Sequence, residues 1–338
     1  MIYKLFRPLI FKIDPEEAHA LTLKILAFSS RIPLFLRFLK KIFQTPRSKP
    51  IRAFGLTFPN ALGLAAGYDK NGIAVQGLAA LGFGHIEVGT ITPLPQLGNP
   101  KKRIFRLPGE KAIINRMGFP NLGAEKILNN LEKIKNRSEF ILGINIGKNK
   151  DTPNEDAHKD YTSLISHFNH LADYFAINIS SPNTLGLREL QGKAHLNTLL
   201  TAIIDHRDNF EKRVPLLVKL SPDLTELELS DALDILIKLK MDGIIATNTT
   251  IDKSSLISAN KNETGGSSGM PLTKKNTEMV RKIDQYTKGV IPIIAVGGVM
   301  SAKDAQEKLD AGAKLVQVYT GLIYSGPSLV KNILSNLN

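Results

Sequence analysis

The sequence predicts an α/β protein: a (β/α)8 TIM barrel with an N-terminal two-helix amphipathic extension. Two observations carry this. From Pro50 onward, apolar runs with strand composition alternate with helical patterns, which implies parallel βαβ units. Eight such units are counted, and eight close a barrel more readily than they extend an open sheet. The length of 338 residues fits a barrel of roughly 250 residues plus an extension.

The predicted domains are 1–48, a helical arm, and 49–338, the barrel. The arm opens a helix at Asp14-Pro15-Glu16-Glu17, with an N-cap Asp, Pro in the first position and acids in the first turn. Ala18, Leu21, Ile25 and Phe28 follow at helical spacing. Pro33 begins a second helix, in which Phe35, Phe38, Leu39 and Ile42 make an apolar face and Arg37, Lys40 and Lys41 share the other. Residues 1–50 hold ten Lys or Arg against three acids, a net +7 of the chain's +13. A basic amphipathic helix of this kind lies in a membrane interface or packs on its own barrel with solvated lysines. Its aromatics are Phe without interleaved Gly, so nucleic acid is the weaker partner. No run approaches the length of apolar residues that spans a bilayer.

The barrel strands are predicted at 61–65, 85–89, 141–146, 174–179, 216–220, 243–246, 291–296 and 315–319. The connection between the second and third, about 50 residues, is too long for a plain loop and is expected to be a functional cover. Ligands of such barrels bind at the carboxyl ends of the strands. Those ends read Ala66, Gly67, Tyr68, Asp69 and Lys70; Thr90; Asn145; Asn178 with the turn Ser181–Asn183; Lys219; Thr247, Asn248 and Thr249; Gly298; and Tyr319, Thr320. A single Asn is ordinarily a turn former. Four amides and two lysines on one rim are not well explained that way. Asn offers two donors and an acceptor, so several together can read a planar heterocycle of alternating N–H and C=O groups. Lys219 at a strand end is costly unless it meets an anion or an electron-rich ring.

Several chemistries are excluded or unsupported. The chain has no cysteine, so disulfides, Cys-ligated metals and thiol nucleophiles are absent. No His-rich or acidic cluster has metal-ligand spacing, and no metal is expected. No helix-opening G-x-G-x-x-G follows a strand, which argues against a Rossmann site.

Nine segments in order, among them AAGYDK (65–70), GNPKKRIFRLP (98–108), INRMGFPN (114–121), INISSPNTLGLR (177–188), KLSPD (219–223) and GGSSGMPL (265–272), resemble dihydroorotate dehydrogenase. The resemblance is to its quinone-dependent, membrane-associated class. It implies one FMN per subunit, with Ala66 through Lys70, Thr90, Asn145, Asn178, Lys219, Thr247, Gly269, Gly298, Tyr319 and Thr320 on the cofactor positions. It implies dihydroorotate and orotate at Lys70, Asn115, Arg116, Met117, Gly118, Phe119, Asn178, Asn183, Asn248 and Thr249. Ser181 falls on the catalytic base, a position that is Cys in the soluble classes. Serine is a poor base, and no neighbouring His activates it, so a relay through Thr or water is expected. His19 and Arg106 fall on positions lining the quinone tunnel formed by the arm. A membrane quinone (ubiquinone or menaquinone), a monomer, and a peripheral place on the cytoplasmic face of a bacterial inner membrane are what the class implies, since no Arg/Ser-rich leader precedes the arm. The competing expectations are a dihydrouridine synthase-like FMN barrel, whose acid is normally Cys, and a catalytically idle peripheral membrane module.

Overall fold

Eight parallel strands close into a barrel because each is apolar on both faces and can be covered only by helices outside and packed side chains within. In this computed structural model, which describes residues 2–43, 45, 49–135 and 137–337, they are β1 Leu62–Leu64, β2 His85–Ile91, β3 Ile141–Ile146, β4 Tyr174–Asn178, β5 Leu216–Leu220, β6 Gly243–Ala246, β7 Ile293–Val296 and β8 Leu315–Val318. They neighbour one another in chain order, and β8 closes on β1 through Val316–Leu62 and Val318–Leu64. Every residue of β2 is buried, and so is every residue of β4, β5 and β6. The predicted strands all occur, with ends that differ by a few residues.

Helices between the strands follow the expected order, slightly shorter than predicted: Val75–Ala79, Ala157–Phe168, Glu226–Lys238 and Ala302–Asp310 stand where 73–81, 155–171, 226–240 and 302–311 were expected. The Glu226 helix begins at a full capping box, Thr225 with Glu228. Below the barrel, the hairpin Ile51–Ala53/Leu56–Phe58 inserts Phe58, which is fully buried and meets the His85 ring edge-on at 5.3 Å.

The long connection after β2 does form a cover. Ile104–Leu107 and Ala112–Asn115 pair as a hairpin, and Gly266–Gly269 joins Ala112–Asn115 from the β6 side. The segment 115–119 hangs from this small sheet over the rim.

The arm has three helices, one more than the sequence indicated: α1 Ile2–Ile10, α2 Pro15–Ser29 and α3 Pro33–Phe43. In α1 the lysine and arginine interrupt the apolar runs, which hid an amphipathic helix whose Tyr3 and Arg7 reach the carbonyls of Ile323 and Tyr324 at 2.6 and 3.0 Å. Asp14 caps α2 by accepting from the N–H of Glu16 and Glu17 at 2.9 and 3.3 Å. A Cβ on Gly77 would stand 2.5 Å from the Leu26 carbonyl, so glycine lets α2 lie directly on the helix Val75–Ala79. α3 buries no residue, although Lys40 pairs with Glu139 on the barrel. The expected boundary at 48/49 touches Ser48, which lies outside the described residues.

Candidate active site

The carboxyl ends of the strands open into a cleft whose empty space, counted to its mouth, is about 1000 Å3. Ala66, Gly67, Lys70, Thr90, Asn178, Ser181, Lys219, Thr247, Gly269, Gly298, Tyr319 and Thr320 line it, as do Asn115, Met117, Gly118, Phe119, Asn183, Asn248 and Thr249. Six residues singled out in the sequence do not. Asn145 lies behind Thr90 and accepts its hydroxyl at 2.6 Å. Asp69 turns away to accept from the N–H of Ile73 and Ala74 at 3.1 and 2.7 Å. Tyr68 is buried behind the wall, edge-on to Tyr319 at 5.7 Å. Arg116 points outward to Glu263 at 2.6 Å, over the Phe105 ring. His19 and Arg106 belong to the arm contacts.

The amides form two hydrogen-bonded groups. Asn178 donates to Thr90 Oγ1 at 2.8 Å and to Asn145 Oδ1 at 3.1 Å, while its own Oδ1 accepts from Asn248 at 3.2 Å. Asn183 donates to Asn115 Oδ1 at 3.2 Å, which ties the Ser181 turn to the cover. Ser181 is almost fully buried, and its Oγ accepts from the Asn183 N–H at 3.2 Å. In the same turn, Thr184 Oγ1 is buried without a hydrogen-bond partner among the described residues. Arg188 clamps the turn: it donates to the carbonyls of Ser180 and Thr249 at 3.1 and 3.0 Å and pairs with Asp223 at 3.0 Å. One guanidinium thereby fixes the strand-four turn against the strand-six loop.

On the β7–β8 side, Gly298 adopts φ +71° and packs so closely that a Cβ would stand 2.4 Å from Thr273 N. Only glycine fits there, which leaves the backbone of Gly297–Val299 and Tyr319–Gly321 facing the cleft. Two lining residues, Thr249 and Gln317, each carry a buried oxygen, Oγ1 and Oε1, that finds no partner among the described residues. Gln317 and Ser268 line the cleft without having been assigned a role from the sequence. The support beneath was not singled out either: Glu87, fully buried, takes hydrogen bonds from Asn145 and Gln317, both at 2.8 Å. A carboxylate in the middle of the strand-like run HIEVGTI was the signal for it.

Toward the arm, Lys70 Nζ donates to the Gly67 carbonyl at 2.5 Å, and burial lowers its pKa to about 8 while Glu16 pulls the other way. His19 on α2 meets Tyr68 edge-on at 5.0 Å, so a file of rings, His19–Tyr68–Tyr319, runs from the arm to the cleft wall. Burial and the nearby Lys70 cation push the His19 pKa down to about 3, so its ring is neutral at pH 7. Arg106 donates to the carbonyls of Ile10 and Ile13 and stacks on Phe11 at 4.6 Å, fastening the α1–α2 turn.

Residues 50–338 match the family described as Dihydroorotate dehydrogenase. A protein of Buchnera aphidicola subsp. Schizaphis graminum named dihydroorotate dehydrogenase (quinone) is 51% identical over 344 residues, covering 100% of both chains. One of Christiangramia forsetii with the same name is 49% identical over 334 residues, 98% of this chain and 97% of that one. The crystal structure of DHODH from Eimeria tenella in complex with ferulenol superposes with a TM-score of 0.89 at 39% identity, covering 97% of this chain and 93% of that chain. Over barrel, cover and arm alike, the chain belongs to the dihydroorotate dehydrogenase family.

Proposed function

We propose that this chain oxidises (S)-dihydroorotate to orotate in pyrimidine biosynthesis, with FMN in the cleft and a membrane quinone as final acceptor. The observation that carries the reading is the meeting, in one cleft, of Ser181, the amides of Asn115, Asn178, Asn183 and Asn248, and the Lys70 cation. Such a set suits an anionic ring whose edge alternates N–H and C=O.

Several features support FMN. The partnerless oxygens of Thr249 and Gln317, the amide of Asn178 and the Lys219 cation offer polar partners to a flavin ring, and the exposed backbone beside Gly298 and Thr320 suits a phosphate. Bound FMN would supply a two-electron acceptor for the hydride from substrate C6. The protein's own part is to orient and to move a proton. Lys70 holds the substrate carboxylate, while the amides fix the ring so that C5 faces Ser181. Ser181 Oγ takes the C5 proton as its own hydroxyl proton leaves toward Thr184 Oγ1, which has no other partner among the described residues and is suited to pass that proton on to water. Asn183 N–H, donating to Ser181 Oγ, stabilises the partial alkoxide character that arises there as the hydroxyl proton leaves.

Residues 1–48 act as the membrane and quinone-access arm, and 49–338 as the catalytic barrel. Among the described residues no single helix is long and apolar enough to cross a membrane; α2 and α3 together reach the length but bend by 112° at their junction. Leu5, Phe6, Leu9, Leu21, Phe28, Leu34 and Phe38 are exposed on the arm beside its basic residues, which suits a peripheral place on an anionic bilayer, at the cytoplasmic face of a bacterial inner membrane. His19 and Arg106 then flank the quinone path, and the protein works as a monomer.

The test is anaerobic. Dihydroorotate should bleach the visible flavin band of the purified protein, and a ubiquinone analogue, not fumarate, should restore it. Recovery with fumarate alone would overturn the quinone assignment, and no bleaching would overturn the substrate.

A further inference from the structure

Glu87 is a carboxylate with no exposed surface, on β2, one layer below the cleft floor. A buried charge of this kind costs several kcal/mol unless it is fully partnered. Here four side chains from four other strands converge on it. Oε1 accepts from Asn145 Nδ2 at 2.8 Å and lies 3.5 Å from Lys219 Nζ. Oε2 accepts from Gln317 Nε2 at 2.8 Å and from the Tyr174 hydroxyl at 3.1 Å. Two of these partners, Lys219 and Gln317, line the cleft directly.

The carboxylate also sets the sense of the amide chain above it. Because Glu87 can only accept, Asn145 must turn its Nδ2 downward and its Oδ1 upward. That oxygen then accepts from Thr90 and Asn178, which leaves Asn178 Oδ1 to accept from Asn248. The same logic turns Gln317 Oε1, the atom without a partner, away from Glu87.

We propose that Glu87 is a positioning residue of the flavin floor: it orients the rim amides through Asn145 and offsets the charge of Lys219, and so holds down the reduction potential of the bound flavin. The inference rests on the reading that the cleft binds FMN. Reduction places negative charge on the flavin ring. Lys219 favours that change, and Glu87 opposes it from behind.

The experiment compares full-length wild type, Glu87→Gln and Tyr174→Phe by anaerobic potential titration, by FMN titration of the apoproteins, and by thermal unfolding of the apoproteins. Glu87→Gln should shift the two-electron potential positive by at least a tenfold change in the reduction equilibrium, about 30 mV, and weaken FMN binding. Tyr174→Phe removes a hydroxyl that donates to Oε2 and accepts from Gln317 Nε2 at 3.3 Å, while Tyr174 itself does not line the cleft, so its smaller shift should be negative. Shifts of the same sign, or a folded Glu87→Gln protein with unchanged potential and FMN affinity, would overturn the role of Glu87. If Glu87→Gln does not fold, an unshifted Tyr174→Phe overturns it. A wild-type apoprotein that ignores FMN overturns both this role and the flavin reading, whereas wild type and Glu87→Gln binding and reducing FMN identically overturn only the former.

Discussion

Glu16 of α2 and Arg103 of the cover loop form a two-pronged ion pair, Nη2 to Oε1 at 2.7 Å and Nε to Oε2 at 3.1 Å. Arg103 also donates to the Asn99 carbonyl at 2.8 Å, and the Asn99 amide donates to the Asn183 carbonyl at 3.1 Å. The arm is thereby linked to the Ser181–Asn183 turn in three steps. Arg103→Ala should cost about 1.5–3 kcal/mol of stability, the range for hydrogen bonds to a charged partner. It should raise KM for quinone more than KM for dihydroorotate. Steady-state kinetics varying each substrate would show it, and an equal rise in both would contradict the link. The Arg103 guanidinium holds Glu16 below its ordinary pKa. The stabilisation is therefore present above the unfolded value near 4.5 and fades as pH falls through the lower folded one.

Ser181→Ala should slow single-turnover flavin reduction by dihydroorotate by roughly 10²–10⁴-fold, the range for loss of a positioned base, while FMN content stays the same. Thr184→Val should slow it less, since water can replace one relay member. Stopped-flow absorbance decides both; a Ser181→Ala protein reduced at the wild-type rate would remove the base role.

Much of this was legible because parallel strands buried on both faces leave an unambiguous trace. Tyr174–Asn178 and Leu216–Leu220 announce themselves as apolar runs, and the polar residue at or next to the end of each, Asn178 and Lys219, marks the rim. What was not legible depends on partners distant in sequence. Glu87 and Gln317 are 230 residues apart, and nothing local to either strand says that they meet. Asn145 looked like a rim residue, yet its side chain is used inward, because Glu87 sits beneath it. The helix α1 was missed because its anchors, the carbonyls of Ile323 and Tyr324, lie at the other end of the chain.

Lys70 should give the proposed substrate site a pH dependence. Burial brings its pKa to about 8, so the cation is present below that pH and lost above it. KM for the dihydroorotate anion should rise as pH passes upward through that value. Lys70→Met should raise KM by about 10- to 100-fold, as expected when a charged hydrogen bond worth 1.5–3 kcal/mol is lost, and should flatten the profile. A variant that keeps the wild-type pH profile would show that another group titrates.

The arm prediction separates membrane docking from chemistry. Leu34 and Phe38 are 76% and 55% exposed on α3, so Leu34→Asp with Phe38→Asp should leave the fold intact. Co-sedimentation with anionic phospholipid vesicles should fall strongly. Flavin bleaching by dihydroorotate should not change. Undiminished sedimentation would place the docking surface elsewhere.

His85 should make the barrel sensitive to acid. Its ring is fully buried between Phe58 and Gly63, and neither nitrogen has a partner among the described residues. Burial lowers its pKa from 6.5 to about 4, against a weaker upward pull from Glu87. Between those two values the unfolded chain binds a proton that the folded chain refuses, so stability falls as pH drops from 6.5 and levels off near 4. The loss amounts to roughly 3 kcal/mol at 1.36 kcal/mol per pKa unit. Urea unfolding at pH 7, 5.5 and 4.5 should show this decline in wild type, superimposed on the carboxylate terms common to both proteins. In His85→Leu the decline should be smaller by that amount, because no proton remains to be bound at this position. Equal pH dependence in the two proteins would mean that the cavity around His85 admits the charged ring.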